Sequence, residues 1–255
     1  MQPPLADLHC HLDLYPDHAA AIRECERDGV CALTVTTTPK AWPRNRDLTS
    51  SSRHVHAALG LHPQLVAERS SEIGLWQEYF SEARYIGEVG LDGGPRFYRS
   101  LDVQRQFFEL VLRACAREGG KFITVHSVRC TKEVLDMIEK HLPARTARVV
   151  LHWFTGSKSE ARRAVDMGCY FSVNADMLRK AQHRDLVASL PSDRVLTETD
   201  GPFTQTASRP ARPSDVRAAL ESIAVCRGSD AGTVAAAVRT NLIRFLGDEA
   251  QAWAL

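Results

Sequence analysis

Short apolar runs alternate along the chain with longer stretches whose apolar residues return every three or four positions. The short runs predict strands over residues 5–8, 30–37, 54–59, 84–88, 122–125, 148–151, 169–173 and 195–199. The longer stretches predict helices. "DHAAAIRECERDG" stops at Gly29, and "DVQRQFFELVLRACAREGG" sets Phe107, Leu110, Val111, Ala114 and Cys115 on one helical face. "SKSEARRAVDMG" and "PSDVRAALESIAVCRG" open on capping or first-turn residues and close on glycine. Eight strands alternating with helices over 255 residues predict a TIM-type (β/α)8 barrel, expected as one domain over residues 1–255. An open doubly wound sheet fits less well, because no glycine-rich phosphate loop follows an early strand.

The polar residues are distributed unevenly over this pattern. In a barrel, chemistry belongs at the C-terminal ends of the strands. His9, His11, His62, His126 and His152 all fall at or just past predicted strand ends, as do Glu88 and Asp200. Strand alternation sets Asp7, His9 and His11 on one face of "ADLHCHL" and turns Leu8 and Cys10 to the other. Neutral imidazole and carboxylate together suit Zn²⁺, Mn²⁺ or Mg²⁺ in hydrolytic sites. Two ions about 3.5–4 Å apart need a bridging carboxylate, and Glu88 is placed to supply it. Asp7 and Glu198 are candidates to support the ligands from behind, or plain core hydrogen-bonding groups. Trp153 follows a candidate ligand and is suited to base stacking or to core packing.

Composition narrows the partners. The formal net charge of +1 gives no global field for nucleic acid, although basic clusters occur at 44–46, 144–148 and 209–217. Seven dispersed cysteines without C-x-x-C spacing fit free thiols in a reducing compartment. No signal peptide and no membrane-length apolar run is visible, so a soluble cytoplasmic protein that does not engage membranes is expected.

The motifs "ADLHCHL", "GLHP", "IGEVGLD", "TVHS", "LHWFTG", "TETDGPF" and "RTNLIRFLG", in that order, resemble the TatD family of metal-dependent deoxyribonucleases. "VTTTPKAW" and the form "LHWFTG…TETDGPF" resemble more narrowly the TatD-like nuclease of the Qat anti-phage defence system. The resemblance implies one or two divalent ions. His9, His11, Glu88 and Asp200 would bind one, and Glu88, His126 and His152 the second, with Glu88 shared and Asp200 also accepting a proton from the attacking water. His62, Trp153 and Arg129 would lie on the substrate side. The implied substrate is DNA, single-stranded or at 3′ ends; the implied partners are Qat subunits, an ATPase and a QueC-like enzyme.

The chain departs from the family pattern at three places on the substrate side. Gly93 and Gly94 follow "GLD" where a tyrosine is usual. Val128 stands where an arginine is common after the fifth-strand histidine, with Arg129 next. Gln64 follows "GLHP" in place of histidine. The leading expectation is a DNA phosphodiesterase acting as an exonuclease in defence. The alternatives are an amidohydrolase on a small cyclic amide or lactone, a histidinol-phosphatase-type phosphoesterase, disfavoured because the last motif here is "ETDGP" where that family carries a D-x-H motif, and a non-catalytic binding subunit.

Overall fold

A computed structural model describes residues 5–206 and 208–253. Eight strands follow one another in chain order through one parallel sheet: β1 Leu5–Cys10, β2 Val30–Val35, β3 Val55–Leu59, β4 Tyr85–Gly90, β5 Phe122–His126, β6 Arg148–His152, β7 Tyr170–Val173 and β8 Val195–Thr197. At the far end of the order β8 returns to β1, where Asp200 N donates to His9 O and His11 N to Gly201 O, each at 2.8 Å. With helices between the strands, this is the expected (β/α)8 barrel. The strands are buried on both faces almost throughout, as parallel strands covered by helices must be.

The chain divides into two compact units, one built from residues up to Thr34, Arg46–His56 and Phe171 onward, the other from Val35–Asn45 and Ala57–Tyr170. The core of the first unit holds the fully buried Leu8, Leu12, Leu33, Phe171, Phe245 and Trp253. That of the second holds Leu59, Trp76, Phe107, Phe108, Phe122 and Phe154.

Local signals account for the helix ends. Gly29 (φ +64°) and Gly228 (φ +60°) take the left-handed conformation that closes the helices His18–Asp28 and Val216–Arg227. Ser157 and Glu160 form a capping box at the start of Lys158–Asp166. The long helix Leu101–Glu118 corrects one expectation. It buries Phe107, Phe108, Val111, Leu112, Ala114 and Cys115, whereas Leu110 is half-buried, because its packed stripe is wider than the one inferred from i, i+3, i+4 spacing.

Two strands, β2 and β8, end two residues short of expectation because their backbone bonds go elsewhere, while β1 and β4 run two residues further than expected. β8 stops at Thr197, since Thr199 N donates to the Asp7 side chain at 2.9 Å instead of to a neighbouring strand. β2 stops at Val35. Beyond it, Thr36 N donates to Gly87 O and Glu88 N to Thr36 O, both at 3.2 Å, so the chain leaving β2 is bonded to β4. Gly60 lies beneath this crossing; a Cβ there would come within 2.3 Å of both Glu88 N and Thr36 O. Only glycine allows that approach.

In the first unit the carboxylate of Glu26 anchors the turn that leads into β3. Its Oε1 accepts from Ser52 Oγ, from Arg53 N at 2.9 Å and from His54 N at 3.0 Å, and its Oε2 meets His54 Nδ1 at 2.8 Å. Burial alone would raise the Glu26 pKa, but the bonds from Ser52 and His54 outweigh it and hold it at about 2. A carboxylate whose pKa falls on folding stabilises the protein above its unfolded value and loses that contribution as pH falls through the folded value. Glu26→Gln is expected to cost about 1–2 kcal/mol at pH 7, the value of charged hydrogen bonds reduced by partial exposure. The gap between wild type and variant should narrow as pH drops from about 4.5 towards 2. Urea unfolding at pH 7 and pH 3 checks this; a gap that is equal at both values removes the ionic role.

Candidate metal centre

In the first unit, β1 and the residues after β8 bring together two imidazoles and a carboxylate. His9 lies within β1, and His11 follows it at the start of a 3-10 turn over Leu12–Leu14. Both are fully buried. Their Nε2 atoms lie 3.9 Å and 3.5 Å from Asp200 Oδ1, and their rings meet edge-on with centroids 5.2 Å apart. Cys10 turns the other way, its thiol donating to Leu33 O at 3.5 Å. Asp7 ties the strand ends together. Its carboxyl accepts from Thr199 N at 2.9 Å and Thr199 Oγ1 at 2.5 Å, and from His9 N at 3.3 Å. Burial lifts its pKa to about 8 in spite of those bonds. Glu198 accepts from Ser172 Oγ and from Asn174 Nδ2 at 2.9 Å, tying the end of β8 to β7.

In the second unit, one carboxylate oxygen gathers three histidines. Glu88 Oε1, on a side chain 2% exposed, lies 2.7 Å from His126 Nδ1, 3.2 Å from His62 Nε2 and 3.9 Å from His152 Nε2. Ligand atoms from His62, Glu88 and His126 lie within 4.8 Å of one another. The second nitrogen of His126 meets Asp92 Oδ2 at 3.1 Å. Burial acts to lower the His126 pKa, but Asp92 and Glu88 outweigh it and the net shift is upward. Burial acts to raise Asp92, yet bonds from His126, Gln64 and Gly94 hold it at about 2. Imidazole nitrogens and carboxylate oxygens, buried except at the half-buried His62, are the donor set of Zn²⁺, Mn²⁺ or Mg²⁺, so the residues of each unit fit a divalent ion.

The residues expected on the substrate side are placed as follows. His62 joins the Glu88 cluster. Trp153 is half-buried, edge-on to His152 with ring centroids 6.2 Å apart, and takes φ +39°, a strained value for so bulky a residue. Arg129 is exposed on the turn after β5 at φ +54° and lines a cleft of about 620 Å³ with Lys132, Thr155 and Ser157. Asp200 itself sits at φ +55°. Among the described non-glycine residues, these three share left-handed backbone with Arg145, at φ +68°.

Sequence reasoning missed two residues. Asp92 stands in the quoted "IGEVGLD", but it lies beyond β4, where strand alternation gives it no face. Phe203 stands in "TETDGPF". Its backbone is fixed by Phe203 N donating to Asp200 O at 2.9 Å, yet its ring is 60% exposed and meets His11 edge-on at 5.0 Å. An exposed aromatic on an anchored turn is the signal that would have found it.

The family model described as TatD related DNase matches residues 6–247. "Uncharacterized metal-dependent hydrolase YjjV" of Escherichia coli (strain K12) is 29% identical over 253 residues, 92% of this chain and 95% of that protein. Its crystal structure superimposes with a TM-score of 0.78 at 27% identity, covering 94% of this chain and 97% of that one. The "3'-5' ssDNA/RNA exonuclease TatD" of Erwinia tasmaniensis is 27% identical over 246 residues, 90% of this chain and 93% of that protein. "Deoxyribonuclease Tat-D" of Schizosaccharomyces pombe is 34% identical over 120 residues, and the chain spans 38% of its length.

The geometry of β1 separates two neighbouring residues. Cys10→Ser should keep metal uptake within a few-fold of wild type, at a stability cost of about 1 kcal/mol. His9→Ala and His11→Ala should each lower uptake by at least tenfold. Calorimetric titration of the folded proteins with Zn²⁺ and Mn²⁺ distinguishes them; loss of binding in Cys10→Ser would mean that the thiol is a ligand.

Proposed function

This chain belongs to the TatD-related DNase family, and from that membership we propose that it is a 3′-5′ exonuclease acting on single-stranded DNA ends. The family's members are metal-dependent hydrolases of phosphodiester bonds. The observation that carries the reading here is the buried Glu88 carboxylate with three imidazole nitrogens within 3.9 Å.

In this reading residues 1–255 act as a single catalytic domain. His9, His11, Glu88 and Asp200 hold one divalent ion, and Glu88, His126 and His152 the other. Bound ions supply Lewis-acid stabilisation of phosphate oxygens and activation of water. The remaining work falls to the chain. Glu88 contributes the negative charge that two cations share. Asp200 accepts the proton released by the attacking water, its carboxylate held by the αL turn. His62 and Arg129 contact the phosphate, and the exposed Phe203 and half-buried Trp153 offer rings on which unpaired bases stack. Stacking of that kind tolerates sequence and favours strand ends over intact duplex.

The proposed role in anti-phage defence rests on the resemblance carried by "VTTTPKAW" and the form "LHWFTG…TETDGPF". It implies work beside an ATPase and a QueC-like subunit. Among the described residues no helix is long and apolar enough to cross a membrane; the cytoplasm as the place of action is part of the same proposal.

Removal of metal with EDTA should abolish cleavage of end-labelled single-stranded DNA, and Mn²⁺ or Zn²⁺ should restore it. Glu88→Gln keeps the volume and loses the shared charge; we expect it to bind one ion fewer and to lose nearly all activity. Asp200→Asn should retain metal, less tightly, and slow turnover by the roughly 10²–10⁴-fold typical of a missing proton acceptor. Metal content and cleavage rate measured side by side test both roles. A Glu88→Gln protein with full metal content and near wild-type rate overturns the shared-ligand assignment. A wild type that cleaves no DNA, alone or with its partners, overturns the nuclease reading.

A further inference from the structure

Asp92 has more of its bonding capacity engaged than any role in catalysis so far assigned to it requires. It is 2% exposed. Its Oδ1 accepts from Gly94 N at 2.7 Å, and its Oδ2 accepts from Gln64 Nε2 at 2.8 Å and meets His126 Nε2 at 3.1 Å. Its backbone is held as well: Asp92 N donates to Gln104 Oε1 at 2.7 Å, and Asp92 O accepts from Gln104 Nε2 at 3.2 Å. Gln104 is itself fully buried and reaches Phe97 O and Ser100 Oγ. A carboxylate fixed at both oxygens and at its backbone is a rigid reference point.

That reference point touches one chemically decisive group. His126 turns Nδ1 towards Glu88 Oε1 at 2.7 Å and Nε2 towards Asp92. Both nitrogens thus face carboxylate oxygens, and a neutral imidazole carries one proton and one lone pair; if Nδ1 is to coordinate an ion beside Glu88, the proton must stay on Nε2, where Asp92 accepts it. We propose that Asp92 is the positioning residue of the centre: it holds His126 as the Nε2–H tautomer and so presents Nδ1 to the ion beside Glu88. The inference rests on the metal reading given above. It also explains the local sequence. The loop must bring Gly94 N within bonding distance of the Asp92 side chain, and a Cβ at Gly94 would stand 2.8 Å from Asp92 Oδ1. Gly93 N donates to Val128 O at 2.9 Å, which joins this loop to the turn after β5. Of the departures noted in the sequence, Gln64 and Gly94 bond the Asp92 carboxylate directly, and Gly93 ties the same loop to Val128.

Asparagine cannot replace Asp92 in this arrangement. With its oxygen towards Gln64 and His126, its amide opposes the Gly94 N–H; flipped, its amide opposes two donors. The experiment is performed on the full chain without DNA: Zn²⁺ titration by calorimetry, with ¹⁵N-histidine NMR to read the His126 tautomer in the zinc-loaded protein. Wild type should show His126 protonated at Nε2. Asp92→Asn should lose that signature and bind one of the ions about 10–100-fold more weakly, the usual cost of removing a ligand's supporting partner, while the other ion binds as in wild type. Gln64→Ala, at a half-buried position that leaves Asp92 in place, should weaken the same ion by a few-fold and provides the test if Asp92→Asn does not fold. Wild-type affinity together with an unchanged tautomer in either folded variant overturns the assignment while leaving the metal reading intact. A wild type that takes up no ion overturns the metal reading, and this assignment with it.

Discussion

An ionised carboxylate removed from water is costly unless cations or strong donors surround it. Much of the second unit is arranged to meet that condition for Glu88, which is 2% exposed. The segment leaving β2 bonds to both polar atoms of the peptide between Gly87 and Glu88, Gly60 makes room for that crossing, and three histidines from the ends of β3, β5 and β6 close on one oxygen. The same convergence that surrounds a buried carboxylate assembles the kind of donor set that divalent ions take. Structural necessity and chemistry are therefore met by one set of atoms.

The first unit answers a different constraint. His9 and His11 are useful only if they face the carboxylate that follows β8. The Asp7 carboxyl on Thr199, Thr197 Oγ1 on Ala6 O and Asp200 N on His9 O bind the two strand ends side by side. The cost appears as left-handed backbone at Asp200, a residue type that tolerates it, and such strain persists where surrounding bonds hold it. In the second unit the same device recurs at Trp153, directly after His152, with a less tolerant side chain.

Support from behind the ligands is what distinguishes this site from a bare collection of histidines. Metal-binding imidazoles need their other nitrogen occupied if the ring is to keep one orientation and one tautomer. Asp92 occupies that place for His126, with Gln64, Gly94 and Gln104 immobilising it in turn. Phe203, by contrast, spends almost nothing on the interior: its turn is anchored and its ring is left to the solvent. One residue is buried against a histidine, the other left exposed beside one.

How much of this was legible in the sequence depends on whether a feature is local. The barrel could be read because strand alternation, helical spacing, Gly29 and Gly228 as stops and the Ser157–Glu160 cap are all encoded within a few residues. The histidines and acids were legible for the same reason: in a parallel barrel, rank along the strand fixes the end at which a side chain emerges. Other features had no local code. The half-burial of Leu110 and full burial of Phe108 and Leu112 were decided by what the helix packs against. The early end of β8 was decided when Thr199 bonded Asp7, 192 residues away in sequence. The place of Asp92 depended on Gln64, 28 residues before it, and His126, 34 residues after it. Periodicity reports which face a residue occupies. Which partner it finds across that face is set by the closure of the chain on itself, and only the tertiary structure holds that information.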